Sequence, residues 1–268
     1  MTTGTLHLPA SRTVREAIPR LKRILESHAP DHLQILTPKQ MKRSLRMTMD
    51  GPRAERGDAG GVWESGRGAA VLVPLCTVGG VPSVIFTLRS AKLSTHAGQV
   101  CFPGGHADCG DRGDPVRTAL REMREELMGH GPDRGASDTA PTQVPERQCR
   151  LFYDFDEGVQ ILGRTGPVPS VRGDMVTPII GALTYDLPSL ESVTQIFPGN
   201  EGEVDEVFAI SVKRLLKRET SERLERLGTM GAVFPAGGGR GKIWGLTAII
   251  LRPILHQLLK PAGFVSGD

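Results

Sequence analysis

The spacing of apolar and polar residues divides the chain into helical and extended segments. Apolar residues at helical spacing predict a first helix over residues 12–26. Two apolar runs, at 69–75 and 84–88, flank the turn-forming pair Gly79-Gly80 and predict two strands of a hairpin. This part of the chain therefore predicts the start of a sheet.

The rest of the chain alternates between the two periods. The pattern predicts a helix at 116–128, strands at 160–163, 176–183 and 204–210, and a final helix at 243–259 that ends before Pro261. Strands and helices mixed in this order predict a single α/β domain.

Two stretches lack this periodicity. Residues 50–68 are rich in Gly and charge, and they predict a linker; residues 129–145 are rich in Gly, Pro, Ser and Asp, and they predict a surface insertion. The expected organisation is an N-terminal helical segment over 1–49, the linker, and one domain over 69–260 that carries the insertion.

Composition narrows the classes of protein. Of the 268 residues, 38% are apolar and 24% charged, and the net charge of +3 comes from interspersed residues, so the chain does not have the basic character of a nucleic-acid-binding protein. The four cysteines show neither disulfide-scaffold nor zinc-site spacing, which favours a reducing compartment.

The targeting signals predict an intracellular protein, cytoplasmic or mitochondrial. No apolar run is long enough to span a bilayer, the N-terminus lacks a secretory signal, and the last three residues are not a peroxisomal tripeptide. The basic stretch at 12–23 has two interpretations, an amphipathic first helix, which we favour, and a mitochondrial presequence.

Three glutamates on the helix at 116–128 are the first candidates for chemistry. Glu122, Glu125 and Glu126 stand at i, i+3 and i+4 and share neighbouring faces, where each like-charged pair costs about 0.2–0.5 kcal/mol. A hard divalent cation removes that repulsion, because Mg²⁺ takes carboxylate oxygens. The alternative is a solvated face on which Arg121 and Arg124 serve as counter-charges.

The loop before this helix favours the metal interpretation. Phe102-Pro103-Gly104-Gly105 brings bare backbone close to a ligand, since glycine has no Cβ. Alone it is also an ordinary turn. A strand, this loop and an acid-rich helix in succession indicate a site.

Residues 105–126 resemble the Nudix box, the loop–helix–loop signature of hydrolases that act on nucleoside diphosphates linked to another group. The resemblance implies an α/β/α sandwich with a mixed sheet. It also implies that Glu122, Glu125 and Glu126 bind Mg²⁺ or Mn²⁺ near Gly105, and that a glutamate serves as general base.

The match has departures. Asp111 stands where the pattern has Glu, and the spacing from Gly105 to Arg121 is two residues longer than in the standard box. The shorter side chain of Asp111 predicts a weakened tether to Arg121. The Arg-Glu-x-x-Glu-Glu core is intact, so metal binding is still expected.

The residues before the box resemble the extended motif of coenzyme A pyrophosphatases, and similarity to that subfamily covers about residues 70–256. It implies that coenzyme A or its thioesters are hydrolysed to 3′,5′-ADP and (acyl-)4′-phosphopantetheine. The substrate-side candidates are Arg89, His96, Gln99, Gly104 and Gly105. Ser94 replaces an arginine common in the subfamily, and His96 and Gln99 have structural interpretations as well.

Glu203 is a further candidate, as an additional metal ligand or base, although a solvated acidic loop over 201–206 is an equal interpretation. Two alternatives remain for the function. One is another Nudix specificity, for ADP-ribose, a dinucleotide or capped RNA. The other is a weakly catalytic Nudix-fold binding protein, which the altered box spacing favours slightly.

Overall fold

A computed structural model describes residues 13–27, 68–128, 158–224 and 229–264. Its helices are α1 Val14–Ser27, α2 Pro115–Met128, α3 Leu190–Ile196, α4 Val212–Lys217 and α5 Gly245–Pro253, which continues as a π-helical segment at Ile254–Leu259; a 3₁₀ turn lies at Cys109–Asp111. Its strands are β1 Gly68–Val78, β2 Val81–Arg89, β3 Val100–Cys101, β4 Gly104–His106, β5 Val159–Arg164, β6 Val168–Pro169, β7 Met175–Leu183, β8 Val204–Ser211, β9 Thr220–Leu224, β10 Thr229–Pro235 and β11 Lys242–Ile243.

The main sheet is mixed and has β1 at its centre. Its strand order is β3-β2-β1-β7-β5, with β4 paired to β1, β6 to β7 and β8 to β2. The β1–β7 pair is parallel, and the other pairs in this sheet are antiparallel. Strands β9, β10 and β11 form a second, smaller antiparallel sheet.

Both faces of the main sheet are buried, as alternate residues of β1 show. Leu72 and Cys76 pack in a cluster with Met123 of α2, while Val73 packs in the cluster that contains Leu251 of α5. Because successive side chains of a strand point to opposite faces, one apolar strand serves two helical layers. The α/β sandwich predicted from the sequence is confirmed.

Helix α1 belongs to this packing. Leu21 is fully buried in the same cluster as α5. The backbone N–H of Val14 donates to Thr77 Oγ1 at 2.9 Å, and Arg20 Nη1 donates to the carbonyl oxygen of Ala262 at 2.7 Å. The first helix is therefore held against the domain by apolar burial and by polar contacts at its start and its middle.

The helix predicted at 116–128 and the five predicted strands are confirmed, with ends that shift by at most three residues. The prediction of one helix over 243–259 is wrong at its start. Ile243 lies in β11 and pairs with Phe234 of β10. Helix α5 begins only at Gly245, whose φ of +61° suits a residue without a Cβ. The predicted linker over 50–68, except Gly68, and the insertion at 129–145 lie outside the described residues.

In the part of the chain that the structure describes, no helix is long and apolar enough to cross a membrane.

Candidate active site

The glycine loop of the candidate site is built onto the central strand. Gly104 and Gly105 lie in β4, opposite Val71 and Ala70 of β1. A Cβ on Gly104 would lie 2.4 Å from the carbonyl oxygen of Ala70, inside any permitted contact. Position 104 therefore needs glycine because two backbones meet there.

Helix α2 presents its glutamates to this loop. Its apolar stripe, Ala119, Met123 and Leu127, is fully buried against the sheet, which fixes the helix in rotation. A Cβ on Gly105 would lie 2.5 Å from the carboxylate carbon and both oxygens of Glu122. The carboxylate of Glu122 thus lies directly against the backbone of Gly105, and a side chain at position 105 would displace that carboxylate.

Arg121 connects the parts of the site. Its Nη1 donates to Glu122 Oε1 and to Glu125 Oε2, each at 3.0 Å, and its Nη2 donates to the carbonyl oxygen of His106 at 2.9 Å. Its Nε and Nη2 also donate to the two oxygens of Asp111, at 3.1 and 2.9 Å. One guanidinium therefore positions two of the three candidate metal ligands.

The tether between Asp111 and Arg121 is intact, so the expectation that a shorter side chain weakens it is wrong. Asp111 is only 3% exposed and also accepts hydrogen bonds from Thr118 Oγ1 and from the N–H of Asp108, each at 2.9 Å. These donors, Arg121 above all, lower the pKa of Asp111 to about 2. Asp111 is the last residue of the 3₁₀ turn that comes shortly before α2, and from there its carboxylate reaches Arg121.

Glu126 is the least neutralised carboxylate of the site. It is 2% exposed, lies 3.5 Å from Arg89 Nη1, and accepts a 3.3 Å hydrogen bond from the N–H of Gly104. Burial raises its pKa to about 8, more than these partners lower it. Arg89 Nε is buried without a hydrogen-bond partner among the described residues.

Burial is the largest cause of the raised pKa of Glu122, and two further acids, Glu125 and Glu203, raise it further through their negative charges. The charge of Glu203 also raises the pKa of Glu126. Glu203 itself is exposed. The loop before β8 lies beside α2, because the N–H of Asn200 donates to the carbonyl oxygen of Glu126 at 2.9 Å.

The predicted substrate-side residues Arg89, His96 and Gln99 lie at the end of β2 and in the loop that follows it. His96 Nδ1 lies 3.0 Å from Gln99 Oε1, and His96 adopts a φ of +57°. The N–H of Arg89 donates to the carbonyl oxygen of Gln99, and the N–H of Gly98 donates to that of Arg89, both at 3.0 Å. The loop therefore closes on the end of β2, where Arg89 contacts Glu126.

The donor set suits a hard divalent cation. Carboxylate oxygens are the ligands such ions prefer, and the raised pKa values of Glu122 and Glu126 show that negative charge there lacks compensation. Gly105 leaves the Glu122 carboxylate against open backbone. Among the described residues, no three His, Cys, Asp or Glu side chains are grouped as a metal site.

Ser90 and Asp205 form hydrogen bonds that were not predicted from the sequence. The N–H of Ser90 donates to the carbonyl oxygen of Glu203 at 2.8 Å, and the N–H of Ala91 donates to Asp205 Oδ2 at 2.9 Å. A signal for this exists in the sequence, because two consecutive polar residues between Val204 and Val207 interrupt the alternation of the strand.

The chain is similar in sequence to the following proteins over most of its length. It is 37% identical over 201 residues to the Homo sapiens mitochondrial coenzyme A diphosphatase NUDT8, a match that covers 73% of this chain and 71% of that protein. It is 35% identical over 195 residues to the uncharacterized Nudix hydrolase NudL of Pectobacterium atrosepticum, covering 72% and 83%.

Other comparisons add little. No family model matches the chain. The crystal structure of the Nudix hydrolase RenU from M. smegmatis covers 57% of this chain and 74% of its own, at 18% identity and a TM-score of 0.35. Similarity that low leaves the assignment to the sequence relatives.

Proposed function

Because the chain belongs to the Nudix hydrolase family, we propose that it is a divalent-metal-dependent coenzyme A diphosphatase. It cleaves the diphosphate of coenzyme A or its thioesters and releases 3′,5′-ADP and (acyl-)4′-phosphopantetheine. The identity to the human coenzyme A diphosphatase supports the substrate, because the match covers nearly three quarters of this chain. The observation that carries the reaction type is the group of under-neutralised carboxylates beside Gly105.

Glu122, Glu125 and Glu126 are the proposed ligands of Mg²⁺ or Mn²⁺, with the backbone of Gly105 beside them. When bound, such an ion neutralises diphosphate charge and activates water. Arg121 orients Glu122 and Glu125 through its 3.0 Å contacts, and Asp111 holds Arg121. The chain thus fixes the direction of its ligands from a rigid helix, which preorganises the site.

The other candidate residues have roles on the substrate side. The guanidinium of Arg89 is partly exposed, with 24% of its side chain accessible, and a guanidinium suits phosphate oxygens. His96 and Gln99 form the rim of the same loop. The carboxylate of Glu122 or of Glu203 accepts the proton of the attacking water, and separate Glu122→Gln and Glu203→Gln variants distinguish the two.

The deciding experiment is a turnover assay with coenzyme A, ADP-ribose and a dinucleotide polyphosphate, each with Mg²⁺, with Mn²⁺ and with a chelator. We expect metal-dependent release of 3′,5′-ADP from coenzyme A at a kcat/KM well above the others. Preference for another diphosphate would reject the substrate but keep the family reaction. A folded protein that turns over none of them would indicate a binding protein.

Glu125→Gln is the matched variant for that assay. In an enzyme it should abolish most turnover while sparing the fold, because Glu125 is exposed and its loss creates no cavity. Glu191→Gln, which changes an exposed glutamate of α3, is the control and should leave turnover unchanged. Equal activity of the two variants would contradict a metal role for Glu125.

We also propose an intracellular location, cytoplasmic or mitochondrial. The human relative carries the word mitochondrial in its name. Fractionation of cells that express the full chain, with the protein detected in each fraction, tests the two compartments.

A further inference from the structure

The edge of the site contains a β-bulge. Strands β2 and β8 pair in regular register from Ser83 opposite Ser211 to Leu88 opposite Glu206, but the next residue, Arg89, pairs with Val204. Asp205 is therefore the extra residue of the bulge. A bulge interrupts the ladder and redirects a side chain, and bulges are frequent beside active sites.

The redirected side chain of Asp205 reaches the loop that follows β2. Its Oδ2 accepts a 2.9 Å hydrogen bond from the N–H of Ala91. Hydrogen bonds from Ala91 and from the side chain of Ser90 lower the pKa of Asp205, as expected for a carboxylate that accepts several donors. Ser90 is completely buried, and its Oγ also accepts from the N–H of Lys92 at 3.3 Å. The first residues of the loop, Ser90 and Ala91, thus both donate hydrogen bonds to the carboxylate of Asp205.

A second bond joins the same two segments and involves the candidate acid directly. The N–H of Ser90 donates to the carbonyl oxygen of Glu203 at 2.8 Å. Glu203 is held on its own side by a turn in which its N–H donates to Asn200 at 2.8 Å. The backbone of Glu203 is therefore anchored between its turn and Ser90.

We propose that Asp205 is a positioning residue, which holds Glu203 toward the carboxylates of α2 by fastening its loop to Ser90 and Ala91. The inference rests on the proposed hydrolase reaction, in which Glu203 acts as a base or as an additional metal ligand. Asp205 touches neither the ion nor the substrate in this scheme. It acts through Glu203, whose side chain is exposed.

The first test compares Asp205→Ala with Asp205→Asn. Alanine removes the acceptor for the N–H of Ala91, and we expect kcat to fall roughly 10- to 100-fold, the effect of misplacing a reacting group by about an ångström. Asparagine keeps a carbonyl acceptor of the same length, so it should restore turnover to within a few-fold of the original chain. If asparagine is as damaging as alanine, the hydrogen bond is not what matters.

Ser211→Ala is the matched control. Ser211 is at the other end of β8, and its Oγ accepts from the N–H of Arg214 at 3.3 Å. This variant also removes one bond from a β8 side chain to backbone. We expect it to lower thermal stability without lowering kcat, and an equal loss of kcat would assign the effect of Asp205→Ala to stability alone.

A double-mutant cycle with Glu203→Gln separates positioning from a general structural role. If Asp205 acts through Glu203, then Asp205→Ala should lower kcat by no more than about two-fold once Glu203 is already glutamine. Losses that multiply in the double variant would overturn the proposal.

Amide hydrogen exchange at Ser90 gives a readout that does not depend on turnover. In Asp205→Ala the Ser90 amide should exchange faster, because its bond to Glu203 depends on the closed loop. Unchanged protection there would overturn the proposal. If the original chain hydrolyses no diphosphate substrate, the proposed function fails, while exchange still tests whether Asp205 closes the loop.

Discussion

Two arginine–glutamate pairs in this molecule use the same residue types and reach opposite results. Arg240 and Glu206 form two hydrogen bonds, from Nε at 2.7 Å and from Nη2 at 2.5 Å, and Arg240 Nη1 also donates to Gly237. The guanidinium lies 4.4 Å above the ring of Phe208. All three nitrogens of this guanidinium donate a hydrogen bond and one of its faces lies over an aromatic ring, as expected of a structural pair.

Arg89 and Glu126 are paired far less completely. One contact of 3.5 Å joins them, Arg89 Nε has no partner among the described residues, and the pKa of Glu126 rises to about 8. A buried pair with such geometry does not recover its desolvation cost. The difference indicates that Arg240 and Glu206 stabilise the fold. Arg89 and Glu126, by contrast, are incompletely paired, which leaves both groups able to interact with a ligand.

Glu126→Gln should give the largest effect, because it removes the buried carboxylate that would bind the ion. We expect kcat/KM to fall roughly 10²- to 10³-fold, the usual loss when one preorganised electrostatic group is removed. Steady-state kinetics at saturating Mg²⁺ measure it. Near-normal turnover would mean that the incomplete pairing of Glu126 has no catalytic purpose.

Asp111→Ala should have the next largest effect, since it releases Arg121 from its bidentate contact while Glu122 and Glu125 still hold the guanidinium. Loss of such an outer contact typically costs 10- to 100-fold in metal affinity or activity, so we expect about that increase in the Mg²⁺ concentration for half-maximal rate. Asp114→Ala is the control. It removes the bond to the N–H of Val116 at the start of α2, which costs about 1 kcal/mol of stability, and should leave the Mg²⁺ requirement unchanged.

Glu126 should also make the stability of the metal-free protein depend on pH. Its pKa rises from an ordinary 4.5 to about 8 on folding, so the folded state binds a proton more tightly than the unfolded state does. The stabilisation is present at low pH and is lost as the pH rises from about 4.5 through 8. As the pH rises from about 4.5 to 8, the melting temperature of the chelator-treated original chain should therefore fall progressively below that of the Glu126→Gln variant.

The comparison with Glu126→Gln cancels the titration of other groups. Saturating Mg²⁺ should remove the difference at pH 8, because the ion replaces the proton as counter-charge. A gap in Tm that stays constant from pH 5 to pH 8 would show that Glu126 does not titrate in this way.

Glu206→Gln should have the smallest effect and only on stability. The pair is partly exposed, so losing its charge should cost about 1 kcal/mol, seen as a lower midpoint in urea unfolding. Turnover should stay within two-fold of normal. A large loss of turnover would place Arg240 and Glu206 in the reaction and remove the contrast between the two pairs.

Much of the fold was predictable, because it depends on local periodicity. The continuous apolar run of β1 predicts a buried strand, and the helical stripe of α2 predicts a helix and its buried face. The small sheet of β9–β11 was missed. Strand β9 is polar, and β11 consists of Lys242 and Ile243, so neither has an apolar period to detect. Their formation depends on pairing with β10.

The candidate site divides in the same way. The spacing of Glu122, Glu125 and Glu126 after Gly105 predicts a metal site, since loop and helix geometry place residues of fixed spacing together, and the resemblance to the Nudix box implies the reaction type. Whether each charge is neutralised depends on residues distant in sequence. Arg89 comes 37 residues before Glu126, and Asp205 follows Ala91 by 114. Burial and long-range hydrogen bonds set those charges, and they exist only once the sheet has brought the segments together.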